Sequence, residues 1–187
     1  LEESYAYDRV GNMISLIKKD ASGFTAVTMA YGEENQLSSY SGAAGTVQYE
    51  YDQNGRLAAK TLGDKKDLYT YNPDGLLETY HGYDGYEVSY TYTVDHVLWE
   101  KKEHGSRSRL TLEALAEGKT EENTEKEEEG EEHTTRYIYD LTCVYPQLAS
   151  ETTDGETTDY IYGLNSHLYA ENQNGEREIN LSVLRIP

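Results

Sequence analysis

The chain has 187 residues and a formal net charge of −19 at pH 7. This excess of carboxylates argues against binding to nucleic acids or anionic membranes, because both need clustered Lys and Arg. The aromatic residues are 19 Tyr with one Phe and one Trp. Tyrosine suits a sheet whose aromatic face is only partly dry, because its ring packs while its hydroxyl bonds to water or to a partner. No apolar run approaches transmembrane length, so no membrane insertion is expected.

The first predicted element is a hairpin with the pattern Tyr-x-Tyr-Asp-x-x-Gly-x-Leu. Two tyrosines two residues apart share one face of a strand, and the Asp or Asn that follows opens a turn. Gly supplies a left-handed conformation, and Leu begins the return strand. Asn35 and His96 replace that Gly in two copies. The residues assigned to this repeat are Tyr5, Tyr7, Asp8, Gly11, Tyr31, Tyr49, Tyr51, Asp52, Gly55, Leu57, Tyr69, Tyr71, Asn72, Gly75, Leu77, Tyr90, Tyr92, Leu98, Tyr137, Tyr139, Asp140, Tyr160 and Tyr162.

A second set of turns follows between the repeats. Gly-rich or Asp-Gly sequences at 42–45, 84–85 and 172–175 fall where another turn is due, and Asp154-Gly155 suits a two-residue hairpin. Helical periodicity is absent from nearly all of the chain. The sequence therefore predicts an all-β fold, an antiparallel meander of repeated β-hairpins.

The chain is expected to have three parts: a repeat array over residues 1–103, an acidic insertion over 104–136, and further repeats with a C-terminal strand or tail over 137–187. Residues 117–132 contain nine Glu and two Lys. Like-charge repulsion predicts that this core of the insertion is disordered. The segments Arg109-Leu-Thr-Leu112 and His133-Thr-Thr-Arg136 are expected to be strands that meet at its base.

Candidate sites for chemistry have a simpler structural explanation. Aspartates at the turn tips, or the glutamate run, suit Ca²⁺ by residue type, but one carboxylate per turn falls far short of six to eight ligands. The five His residues and the lone Cys143 lack metal-ligand spacing. Stacking of tyrosines on a sugar stays open beside the cross-strand aromatic ladder. We expect no cofactor and no enzymatic activity, since no site meets even an outline of a catalytic constellation.

These repeats resemble the YD-repeat, or RHS-repeat, family, over most of residues 5–175. A second stretch, Tyr137-Ile-Tyr139-Asp140-Leu-Thr-Cys-Val-Tyr-Pro146-Gln147-Leu148 followed by Tyr160-Ile-Tyr162-Gly163, is similar to the region before the conserved core of bacterial members. The family includes bacterial RHS polymorphic toxins, Gram-positive wall-associated proteins, C components of insecticidal toxin complexes and animal teneurins. The resemblance implies a β-strip that spirals into a hollow shell, which encapsulates a C-terminal toxin or serves as an adhesion scaffold.

The chain begins at Leu1 within an apparent strand and ends at Pro187, before the family's conserved core with its self-cleaving aspartates. We therefore expect a piece of a longer protein and carry over no autoproteolytic or toxic activity. The leading hypothesis is a structural shell segment of a large secreted bacterial protein, extracellular or at the cell surface. Its partners would be neighbouring repeats and a toxin cargo. The alternative is an adhesion module that binds cell-surface carbohydrate or protein through tyrosine-rich faces.

Overall fold

The computed structural model describes residues 2–20, 23–105, 111–119, 132–142, 146–162, 168–172 and 177–179. The chain divides into two compact units. One contains Leu1–Glu87 and Gly105–Gly130, and the other contains Val88–His104 and Glu131–Pro187. Each unit is an antiparallel meander in which strand order follows chain order. The predicted all-β meander is confirmed.

Eight strands and one short helix lie in the described part of the first unit. Each strand pairs with the next one in the chain, so the contacts are local and every connection is short. The strands are β1 (Glu2–Tyr7), β2 (Met13–Asp20), β3 (Gly23–Tyr31), β4 (Leu37–Gly42), β5 (Gly45–Tyr51), β6 (Leu57–Leu62), β7 (Lys65–Tyr71) and β8 (Leu77–His81).

The repeat motif forms a hairpin with a five-residue turn. In the copy at β5 and β6, Tyr51 is paired with Leu57, and residues 52–56 form the turn. The Asp52 amide donates to the Arg56 carbonyl (2.8 Å), and the Gly55 amide donates to the Asp52 carbonyl (3.0 Å). Gly55 has φ of 76°. The predicted hairpin and its left-handed glycine are therefore confirmed.

Five of the described hairpins carry a β-bulge immediately before the second tyrosine. In the same copy Glu50 is paired with Ala59 and Tyr51 with Leu57, so Ala58 is the extra residue. The same register shift lies before Tyr7, Tyr31, Tyr71 and Tyr139. A bulge increases the local twist of the strands and turns the following side chain.

The opposite ends of the strands are joined by tighter turns. Residues 43–44 connect the paired Gly42 and Gly45, and residues 63–64 connect Leu62 and Lys65. Asp84-Gly85 also lies in a turn, but this turn has five residues. It is closed by bonds from the Gly82 amide to the Tyr86 carbonyl (2.8 Å) and from the Gly85 amide to the Gly82 carbonyl (3.1 Å), as in the repeat motif.

Among its described residues, the second unit has seven strands. They are β9 (Glu87–Tyr92), β10 (Leu98–His104), β11 (Glu132–Asp140), β12 (Gln147–Thr153), β13 (Glu156–Tyr162), β14 (Leu168–Asn172) and β15 (Arg177–Ile179). Asp154 (φ 51°) and Gly155 (φ 92°) form the two-residue turn between paired Thr153 and Glu156. Positive φ at both positions suits a type I′ hairpin, so this predicted turn is confirmed.

The acidic insertion lies between β10 and β11. These strands pair from Glu100↔Arg136 to His104↔Glu132, so His133–Arg136 is a strand, as expected, and its partner is β10. Residues 132–136 fall within the predicted insertion but belong to β11. The three-part division of the chain stays a prediction, and residues 120–131 lie outside the described part.

The sequence predicts a strand over residues 109–112. This prediction is wrong at Leu112, which is the first residue of the helix α1 (Leu112–Ala116). Residues 106–110 lie outside the described residues. The Thr111 side chain caps the helix by accepting from the Ala114 amide (3.2 Å). At the other end Gly118 has φ of 88°, and the Lys119 amide donates to the Ala114 carbonyl (3.1 Å). This is the C-terminal arrangement that favours glycine.

The hydrophobic core is small and lies where α1 packs on β4, β5 and β6. Val47, Leu112 and Ala116 are fully buried there. The other buried apolar residues in the described part of the chain are Val27, Ala59, Tyr86 and Val88. So little apolar burial agrees with the partly dry aromatic face that the tyrosine content predicts.

Candidate functional site

The repeat tyrosines of several strands lie on the more sheltered side of their strand. Along β5, Val47 is buried and Tyr49 and Tyr51 are half-buried, whereas Gln48 and Glu50 are exposed. The same alternation recurs along β3, β7, β9 and β11. We call the side that carries the repeat tyrosines the tyrosine face. Its partly dry surface is the environment in which a ring packs while its hydroxyl bonds to a partner.

A buried residue lies two positions before the first aromatic position of the repeat. Valine or threonine fills it in most copies, at Val27, Val47, Val88 and Thr135. Asp67 fills it in β7 and is only 5% exposed. Its Oδ1 accepts from the Tyr83 amide (3.0 Å). Burial raises the pKa of Asp67, and this hydrogen bond only partly offsets the rise.

In four copies of the repeat, the second tyrosine bonds to the backbone of the preceding hairpin. The Tyr51 hydroxyl donates to the Leu37 carbonyl (2.9 Å), and the Tyr71 hydroxyl donates to the Leu57 carbonyl (2.9 Å). Tyr31 makes the same bond to the Met13 carbonyl (3.1 Å). In the second unit Tyr162 makes it to the Leu148 carbonyl (3.0 Å).

The position of these bonds explains why the residue is tyrosine. Pairing between β4 and β5 ends at Ser39↔Gln48, so the Leu37 carbonyl lies beyond the ladder. The Tyr51 hydroxyl takes the place of the missing strand-to-strand bond. Phenylalanine packs in the same way but has no donor, so it would leave the carbonyl without this partner.

The repeat carboxylates organise the five-residue turns. Asp52 Oδ1 accepts from the amides of Asn54 and Arg56, both at 2.9 Å, and Asp8 makes the equivalent pair of bonds. The Arg56 amide is the main reason why the pKa of Asp52 lies below its ordinary value. The oxygens that a metal ion would need are therefore engaged in the turn. In the described part of the chain, no three residues of His, Cys, Asp or Glu are grouped to hold a metal.

Successive five-residue turns contact one another along the edge of the first unit. The last residue of two turns reaches the next turn: Asn12 Nδ2 donates to Asn35 Oδ1 (3.0 Å), and Gln36 Nε2 donates to the Gly55 carbonyl (3.0 Å). Arg56 follows the same direction, with its guanidinium 4.6 Å from the centre of the Tyr71 ring. These side chains add a second set of contacts between neighbouring hairpins.

Two glutamates of α1 and its C-cap bind polar groups on the tyrosine face. Glu113 Oε1 accepts from Lys60 Nζ (2.8 Å) and from the Tyr49 hydroxyl (2.7 Å). Glu117 accepts from the Tyr40 hydroxyl. Burial favours a raised pKa for Glu113, but the hydrogen bonds from Lys60 and Tyr49 outweigh burial and leave its pKa below the ordinary value. The pKa of Tyr49 is raised by burial and by its bond to Glu113.

Gly42 allows the helix to approach the sheet. A Cβ atom at this position would lie 2.4 Å from the Ala116 carbonyl oxygen, closer than real contacts allow. The same carbonyl accepts from the Ala44 amide (2.7 Å), so the helix end is tied to the turn between β4 and β5. Glycine is required at position 42 because any side chain would collide with the helix backbone.

The other sequence-predicted residues lie in equivalent places. Tyr5 and Tyr7 lie on β1 and are exposed, and the Tyr160 hydroxyl donates to Glu151 (2.8 Å). Asp140 Oδ1 accepts from the Thr142 amide (2.8 Å). The remaining assigned residues lie on strands or turns of the two units: Gly11, Tyr69, Asn72, Gly75, Leu77, Tyr90, Tyr92, Leu98, Tyr137 and Tyr139. Cys143, Tyr145 and Gly163 lie outside the described residues.

The sequence profile of the Teneurin YD-shell family matches residues 2–115. The chain belongs to this family. The YD-shell match covers the whole repeat array of the first unit and ends within α1. No curated protein matches the sequence. Among the described residues, no helix is both long and apolar enough to span a membrane.

Several solved structures resemble this YD-shell chain. The crystal structure of TcdB2-TccC3-Cdc42 has 13% identity and a TM-score of 0.45, covering 91% of this chain and 10% of that chain. The crystal structure of TcdB2-TccC3-TEV has 14% identity and a TM-score of 0.45 at the same coverage. The Photorhabdus luminescens Tc holotoxin pore has 10% identity and a TM-score of 0.35, covering 92% of this chain and 12% of that chain. The YD-shell chain thus spans about a tenth of the length of these structures.

Sequence reasoning missed helix α1 and its glutamates. Its signals were present: Thr111 as a cap, Leu112, Leu115 and Ala116 at helical spacing, and Gly118 after the last turn. They lie next to a run of glutamates, and five residues are too few for a clear helical pattern. The tyrosine-to-carbonyl bonds were also missed, because they join different hairpins.

Proposed function

We propose that this YD-shell chain is a non-catalytic wall segment of a large secreted bacterial protein, whose shell encloses or presents a C-terminal toxin. The observation that supports this most is the bond from the second tyrosine of one hairpin to the carbonyl of the hairpin before it. Such bonds, present at three successive hairpins of the first unit, join short hairpins into a continuous wall. The immediate partners are then neighbouring repeats of the same polypeptide.

The chemistry of the repeat residues favours a wall over an enzyme. Hydroxyls of second repeat tyrosines and carboxylates of the turns are used in bonds to the backbone, as at Tyr71 and Asp52. A catalytic group needs a reactive atom that is open to substrate. Family membership supports a shell, and the strong negative charge suits a secreted surface that avoids nucleic acids.

An adhesion module that binds sugars through tyrosine faces is the second hypothesis from the sequence. On the first unit, helix α1 covers Tyr40 and Tyr49, and their hydroxyls bond to Glu117 and Glu113. A sugar would have to displace this helix before it could stack on these rings. The geometry therefore favours the wall.

A deletion in the full-length polypeptide tests the wall function. Removal of residues 49–68 deletes one repeat of 20 residues. Tyr69 then follows Gln48 directly and takes the repeat position of Tyr49. We expect the domain C-terminal to the shell to become sensitive to protease, whereas deletion of the acidic residues 120–131 should leave it protected. Equal protection in all three proteins would contradict the proposal, and specific hits on a glycan array would favour adhesion.

A further inference from the structure

Strands β4, β5 and β6 form a groove that fits one short helix. Its floor is apolar, with Val47 fully buried and Leu62 and the ring of Tyr40 packed beside it. Its polar groups are the hydroxyls of Tyr40 and Tyr49 and the ammonium of Lys60. An apolar floor with hydrogen-bond donors at fixed positions is typical of a site that recognises an amphipathic helix.

Helix α1 is bound in this groove in the way that a ligand is bound. Leu112 and Ala116, one turn apart, fill the floor and are fully buried. Glu113 and Glu117, also one turn apart, meet the donors. The backbone of the helix is tied to the sheet by the bond that the Ala44 amide donates to the Ala116 carbonyl. A helix of five residues is not stable by itself in water, so the groove holds it in shape.

We infer that the β4–β6 surface is a binding groove for a short helix with two carboxylates one turn apart, and that residues 111–119 occupy it as an intramolecular ligand. This goes beyond a wall function, because it assigns a recognition site to the wall. Attachment through the chain gives α1 a high effective concentration, so it excludes a free peptide of the same sequence. The site becomes available when α1 is displaced.

The groove selects its ligand by charge and by space. Lys60 bonds to one carboxylate of the helix, so neutral glutamines at both glutamate positions should weaken binding. Gly42 leaves room for the helix backbone, and any side chain there would block the approach of the carbonyl of Ala116. These two requirements separate specific binding from general adhesion to an apolar surface.

An NMR titration tests this with the complete, isotope-labelled chain. Leu112→Asp should expel α1 by placing a charge on the apolar floor. A synthetic peptide of residues 109–119 is then added. We expect saturable shifts confined to amides of β4, β5 and β6. Binding should be at least about tenfold weaker for the unmodified chain, whose groove is occupied. It should also weaken when both peptide glutamates are replaced by glutamine, or when the receptor also carries Gly42→Ala.

The proposal is overturned if the folded Leu112→Asp chain shows no saturable shifts, or if Gly42→Ala binds the peptide equally well. If Leu112→Asp does not fold, hydrogen exchange of the unmodified chain decides. We then expect the amides of Ala44, Gly118 and Lys119 to open together and well before the amides of β4–β6. Equal protection of helix and strands would mean that α1 is a fixed part of the core, contrary to the proposal.

Discussion

At the scale of single residues, one hydroxyl group distinguishes the second repeat tyrosine from phenylalanine. In β7, the Tyr71 hydroxyl bonds to the Leu57 carbonyl, and the Tyr69 ring packs against Tyr80 with 5.2 Å between ring centres. Among the described residues, the Tyr69 hydroxyl has no hydrogen-bond partner. The two tyrosines of β7 therefore differ in role, the first acting through its ring and the second through its hydroxyl.

This difference predicts unequal effects of the same substitution. Tyr71→Phe should lower the free energy of unfolding by about 1–2 kcal/mol, because the partly buried carbonyl of Leu57 loses its partner. Tyr69→Phe should change it by less than about 0.5 kcal/mol, since only an unbonded hydroxyl is lost. Denaturant unfolding of both variants makes the comparison. Equal losses would show that the hydroxyl bond is not what stabilises the hairpin contact.

The turn glycine gives a second residue-scale prediction. Gly55 has φ of 76°, and Asn35 and His96 hold the same turn position at 59° and 61°. Gly55→Val should therefore cost at least about 1 kcal/mol more than Gly55→Asn, because a β-branched residue is strained at positive φ. Unfolding midpoints measure the difference. If valine and asparagine are equally tolerated, the left-handed turn is not required.

Asp67 gives a prediction of pH dependence with a definite sign. Its folded pKa is raised above the ordinary value of 3.8. At a pH between the ordinary pKa and the raised folded pKa, Asp67 is protonated in the folded chain and ionised in the unfolded chain. The free energy of unfolding therefore falls as pH rises through this window. Asp67→Asn keeps an acceptor for the Tyr83 amide and removes the charge.

The variant should therefore gain stability relative to the natural chain as pH rises from about 3 to 7. The lowered pKa of Glu113 acts in the opposite direction in both proteins and cancels in the comparison. Unfolding free energies measured across this pH range give the difference. A difference that stays constant with pH would mean that Asp67 titrates alike in both states.

At the scale of elements, the packing of α1 on β4–β6 depends on a glycine with an ordinary backbone conformation. Gly42→Ala should destabilise the first unit by about 1–3 kcal/mol, because the added methyl group meets the helix carbonyl. Gly32→Ala is the matched control, since its Cβ would lie 3.8 Å from the nearest atom, the Gln36 carbonyl oxygen. It should be neutral within about 0.5 kcal/mol in the same unfolding experiment. A neutral result at both positions would mean that the helix does not approach the sheet so closely.

The elements that the sequence predicts are those with local causes. Residues 52–56 turn because an aspartate and a glycine act within five residues, and Asp154-Gly155 does so within two. Helix α1 instead depends on packing and ion pairing with residues far away in the sequence, namely Gly42, Val47 and Lys60. The bulge before Tyr51 and its hydroxyl bond likewise depend on a neighbouring hairpin, which a single repeat does not reveal.

At the scale of the whole molecule, stability comes from links between neighbours. Each hairpin buries little, and the first unit shows the same tyrosine-to-carbonyl bond at three successive hairpins. In such arrays the total stability is close to the sum of units and of nearest-neighbour contacts. The bonds of Tyr31, Tyr51 and Tyr71 have different acceptors, so their contributions should add.

The triple variant Tyr31→Phe, Tyr51→Phe, Tyr71→Phe tests most directly the claim that tyrosine hydroxyls join hairpins into a wall. Its unfolding free energy should fall by roughly the sum of the three single losses, about 3 kcal/mol or more, with the sheet retained in its circular dichroism spectrum. A triple variant as stable as the natural chain would contradict the account.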